Sequence, residues 1–129
     1  MKVAATIARV LLGLMFTVFG LNGFLHFLPM QPMPGLAGQF MGALFASHYS
    51  VVVFLVQLVS GILLLVNRFV PLALTLIAPV IVNILVFHAT MAPSGIVPGL
   101  ITAICWFIVF YWERRAFEGL WRHHAPERP

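Results

Sequence analysis

With 62% hydrophobic residues, 8% charged residues and a mean hydropathy of +1.07 over 129 residues, the chain lies outside the composition of soluble domains, where about a quarter of residues are charged. It reads as an all-α integral membrane protein, a four-helix bundle with room for about four spans of roughly 20 residues and for little else. The formal charge of +4 comes from only seven Lys and Arg with no separate basic domain, which speaks for membrane topology and against a nucleic-acid partner.

The first span is expected over residues 3 to 28. It begins like a secretory signal, but the apolar run is too long and no small-residue cleavage site closes it, so it reads as a retained helix. Ala4, Ala8, Gly13, Gly20 and Gly23 would let neighbouring helices come close. Arg9 lies about 9 Å inside Val3 at 1.5 Å per residue, so it must snorkel to cytoplasmic phosphates or find a partner. Glu113, at the inner end of the last span, is the nearest candidate for a structural ion pair, and Gln57 is a neutral alternative.

Pro29, Pro32, Pro34 and Gly35 break this helix. Residues 36 to 47 follow, too short to span, and are expected as an interfacial or re-entrant helix at the outer surface. Gly38, Gly42 and Ala46 would give it a flat face towards the bundle. The second span covers 49 to 66, with Gln57 and Ser60 turned towards other helices because lipid would leave the amide unpaired. The third, 71 to 90, opens with Pro71 in its first turn and carries Asn83, His88 and an interior Pro79 in a run without charge.

The fourth span, 96 to 112, has Gly95, Gly99 and Ala103 as a small-residue face. It also holds Cys105, the only cysteine, so an internal disulfide is excluded. Residues 113 to 129 form a polar tail, where Phe117, Leu120 and Trp121 at helical spacing would rest on the membrane surface. His123 and His124 point about 100° apart on a helix and are read as surface residues. Lys2, Arg9, Arg68 and the tail arginines alternate with uncharged connections around residues 29 to 48 and 91 to 95. The positive-inside rule therefore puts both termini in the cytoplasm.

The segments Arg9-Val-Leu-Leu-Gly-Leu-Met-Phe and Phe19-Gly-Leu-Asn-Gly-Phe resemble the first-helix pattern of the DoxX family of small bacterial membrane proteins. Gly61-Ile-Leu-Leu-Leu-Val-Asn-Arg-Phe-Val-Pro-Leu-Ala and Ala78-Pro-Val-Ile-Val-Asn-Ile-Leu-Val-Phe-His resemble its second-to-third helix region. The resemblance reaches to about Tyr111. It implies four helices in the bacterial inner membrane, a redox or quinone-linked role and an oxidoreductase partner, with this chain as accessory or subunit. Many members carry a Glu about where Gln57 stands, so a role that needs a carboxylate there does not carry over.

Two parallel outward spans would bring Asn22 and Asn83 to similar depth, each roughly 10 Å below its outer end, with His26 and His88 nearer the surface. Asn22 and His26 share a helix face, whereas Asn83 and His88 lie about 140° apart, so only one of that pair can face the bundle axis. Asn83 is expected inside, facing Asn22. His88 is expected at the outer interface, able to join His26 only if Pro79 or a ligand reorients the last turn.

Several functions fit such a layer. The asparagines can simply hydrogen-bond between helices. Asn22, His26, Asn83, His88 and Gln57 can instead receive a quinone head group or another lipophilic ligand, with Phe16, Phe19 and Phe87 against its ring and tail. Haem held by His26 and His88, or Cu(I) held among His26, His48, His88, Met30, Met33 and Met91, are the metal alternatives. A non-catalytic scaffold for partner helices, a copper or small-solute carrier and a homo-oligomer complete the range. The chain has no phosphate-binding Gly loop, no paired carboxylates and no nucleophile triad.

Overall fold

The computed structural model describes residues 1–29, 32–125 and 127–128. They are all-helical: α1 (Lys2–Leu25), α2 (Gly35–Ala46), α3 (Tyr49–Leu65), α4 (Val70–Thr90) and α5 (Ile96–Glu113), with short 3-10 turns at Pro93–Gly95 and Arg114–Trp121. Three stretches, Lys2–Leu25, Val70–Thr90 and Pro93–Trp121, are each long and apolar enough to cross a membrane. The pair Gly35–Ala46 and Tyr49–Leu65, bent by 87°, makes a fourth candidate.

The helix ends explain where the chain turns. α1 stops at Leu25, three residues earlier than its apolar run suggests, because His26 adopts the left-handed conformation (φ 51°) and donates its N–H to Asn22 O. The Asn22 side chain then holds the exit by accepting the N–H of Leu28 at 2.8 Å. Between α2 and α3 the corner is made by His48, also left-handed at φ 62°. α3 ends in a Schellman motif: Asn67 is left-handed at C′, Arg68 N–H bonds to Leu63 O and Asn67 N–H to Leu64 O.

α1 packs chiefly against α3 and α5, and α4 packs against the same two. α1 and α4 therefore lie across the core from each other, not side by side. Leu12, Leu64, Leu74, Ile77 and Val109, contributed by all four long helices, are fully buried at the centre. The α1–α3 contact is the closest, running antiparallel with Gly13 beside Gly61, Gly20 beside Leu58 and Gly23 beside Phe54. A Cβ on Gly61 would come within 2.6 Å of both Thr17 N and Thr17 Oγ1, so only glycine permits this approach.

Two expectations about packing faces change. α2 does not lean on Gly38, Gly42 and Ala46: Gly42 has open space around it and Ala46 is exposed, while Ala37 is the buried position. Gly38 is instead closed off by the carbonyl of Met33, in the turn that enters the helix. In the tail, Phe117 does not lie outward with Leu120 and Trp121. It folds into the core, 4.9 Å from the Phe110 ring, while Leu120 and Trp121 remain exposed.

Candidate functional site

The interior polar groups gather on α3 and the facing side of α1. Gln57 and Ser60 sit one turn apart at the middle of α3, 6% and 0% exposed, on the stripe that continues to Gly61 and Leu64. Gln57 makes no hydrogen bond among the described residues. The hydroxyls of Ser60 and Thr17 are buried without a partner, and Thr17 stands against Gly61, the residue next to Ser60. Two hydroxyls are therefore buried on the α1 and α3 sides of one helix pair with their hydrogen-bonding capacity unused, each unsatisfied group costing about 1–3 kcal/mol, and Gln57 lies on the same α3 stripe as Ser60. Thr102, the buried hydroxyl of α5, is satisfied by contrast, donating to Gly99 O at 2.6 Å.

Gln57 and Ser60 face inward as the sequence leads one to expect. Thr17 is not evident from the sequence, because one Thr in an apolar helix usually bonds its own preceding turn. The signal that marks it is its place between Gly13 and Gly20, on the face that the glycines hold close to α3.

The Asn and His layer expected near the other end does not form. Asn83 is exposed and points away from the core, its Nδ2 donating to Pro79 O of its own helix at 2.8 Å. α4 buries Val70, Leu74, Ile77 and Ile81, and Asn83 lies about 140° around the helix from the centre of that stripe. His88, seven residues after Ile81, falls on the stripe instead. Its ring packs over Gly95, and Nδ1 lies 3.1 Å from Ala92 O, tying α4 to the following turn. Asn83 and His88 are thus on opposite faces, with the inward place taken by the His.

Asn22 is buried, but its side chain closes the α1 exit and does not meet Asn83. His26 and His48 are the left-handed residues that end α1 and open α3. The His26 ring lies 5.9 Å from Phe45, which in turn stacks towards Phe54, while His88 belongs with Phe87 and Phe40. The two rings belong to separate aromatic groups and do not present a pair of axial ligands for haem. Among the described residues no three His, Cys, Asp or Glu side chains converge. Met33 is exposed and Met91 caps α4, while Met30 lies outside the described residues.

At the opposite end, Lys2, Thr6, Arg9, Asn67, Trp112 and Glu113 line a cleft of about 160 Å³. The candidate Arg9–Glu113 ion pair is not made among the described residues. Arg9 instead donates from Nη1 to the main-chain oxygens of Leu64 and Leu65. These carbonyls close α3, where the helix dipole favours a cation. No protein-family model, curated protein or solved structure matches the chain.

Proposed function

We propose that the protein is a multi-pass accessory of a quinone-linked redox system in the bacterial inner membrane, a four-helix bundle that holds a quinone or similar lipophilic carbonyl compound at Gln57. The observation that carries this is the buried amide of Gln57 on the α3 stripe it shares with Ser60, whose hydroxyl, like that of Thr17 on α1, is buried without a partner. A quinone fits these residues: an amide and two hydroxyls complement a ring carbonyl in surroundings that are otherwise hydrocarbon. The site thereby shifts from the first and third spans to α1 and α3.

When bound, a quinone supplies two-electron carrier chemistry. Gln57 would donate from Nε2 to a carbonyl oxygen, or accept through Oε1 from a hydroxyl, and the unpartnered hydroxyls of Ser60 and Thr17 would be free to donate to the same ligand. Gln57 does not titrate, so the chain orients its ligand and leaves proton and electron transfer to a partner oxidoreductase. Lys2, Asn67 and Glu113 share one cleft, which supports placing both termini and the Arg68 turn on one side, the cytoplasmic one by the positive-inside rule.

A short-chain quinone added to the detergent-solubilised protein tests this reading. At about 100 times its dissociation constant it should stabilise the fold by about 2.7 kcal/mol, seen as a rise in Tm. No rise at any soluble concentration would count against the reading.

A further inference from the structure

The side of α4 that faces away from the core carries an unsolved polar group. Leu72, Leu76, Pro79, Asn83, Val86 and Thr90 follow one another at three- or four-residue spacing, and all are exposed. The Thr90 hydroxyl is satisfied by Val86 O in its own helix. Asn83 is not: its bond to Pro79 O is the only one its amide makes among the described residues, which leaves Oδ1 and the second N–H free. Asn83 is seven residues from Thr90, roughly 10 Å inside that end of the helix, where lipid offers nothing to an amide.

We infer that this face of α4 is where two copies of the chain meet, paired through Asn83. The inference rests on the membrane-embedded reading above but not on the quinone. A second copy inserted the same way carries its own Asn83 at the same depth, so a two-fold axis along the membrane normal brings the two amides together automatically. An amide is donor and acceptor at once, so each Asn83 gives its free N–H to the other's Oδ1, and the contact is self-complementary. A different protein would need a matching amide or hydroxyl at that depth. The face has no charge to make like copies repel, and none of the other helices covers it.

Oxidative cross-linking in native membranes tests this on the full-length protein. Cys105 is buried, so the unaltered chain serves as its own negative control. Val86→Cys, one turn from Asn83 on the same face, should give a disulfide-linked dimer. Ile104→Cys, exposed on α5, should give at least ten-fold less. Adding Asn83→Leu to Val86→Cys should reduce the dimer by a similar factor while helical content is unchanged; Asn83→Gln should keep most of it. Equal cross-linking from Ile104→Cys, persistence with Asn83→Leu, or a product containing a different protein would overturn the pairing. Release of the chain from membranes by alkaline carbonate would overturn the membrane reading and this inference with it.

Discussion

Arg9 of α1 donates its guanidinium to the main-chain oxygen of Leu64, at the C-terminus of α3. With the Schellman bonds from Asn67 and Arg68, the Val66 N–H on Ile62 O and the second Arg9 contact to Leu65 O, all four terminal carbonyls of α3 are satisfied. A charged residue inside an apolar helix thus becomes a cap for its neighbour.

Arg9→Leu should therefore lower stability by about 1.5–3 kcal/mol, the scale of a hydrogen bond to a charged group. Glu113→Gln, which removes no observed contact of Arg9, should change it by less than about 0.5 kcal/mol. Thermal unfolding of both variants in detergent checks this. Equal losses would restore the ion pair between them.

Glycines at two positions should respond in opposite directions. At Gly61 a methyl group meets the backbone nitrogen of Thr17, and Gly61→Ala should cost about 1–3 kcal/mol through forced separation of α1 and α3. At Gly42 nothing lies within 4 Å, so Gly42→Ala should stabilise α2 by about 0.5–1 kcal/mol. The same unfolding assay compares them.

The two residues that share α4 show what the sequence could and could not tell. Helical phase alone established that Asn83 and His88 cannot both face inward. Which one does was hidden, because α4 is apolar on all sides and its hydropathy selects no face. The choice was made by packing: Ile77 and Ile81 fill the core, and His88 follows them. The all-helical fold, the short helix before α3 and the inward turn of Gln57 were legible, since they depend on run length, proline placement and the cost of an unpaired amide; the second span was not, because α3 reaches the length of a span only together with the bent α2. The roles of His26 and His48 were not. Histidine reads as a ligand in sequence, but left-handed helix ends are decided by backbone geometry, where His is tolerated better than most side chains.

His88→Leu should consequently destabilise the α4–α5 connection by about 1 kcal/mol through loss of the Ala92 contact, without changing quinone content. Hydrogen exchange at residues 91 to 95 should quicken more than in α1. A selective loss of bound quinone would instead return His88 to the ligand site.

Removing the interior polar groups should stabilise the ligand-free protein. Ser60→Ala deletes a buried hydroxyl that has no partner, and should raise stability by about 1 kcal/mol in quinone-stripped detergent samples. Such a gain is expected where polar groups are retained for binding at the expense of the fold. A loss of stability would mean that Ser60 has a partner in the ligand-free state.

The most direct test of the account is the quinone content of the full-length protein, isolated gently with its surrounding lipid, in wild-type and Gln57→Leu forms. The account predicts near-stoichiometric quinone in the wild type, and no more than the bulk-membrane level in a fully helical Gln57→Leu. Equal retention by both forms, or no enrichment in the wild type, would contradict it.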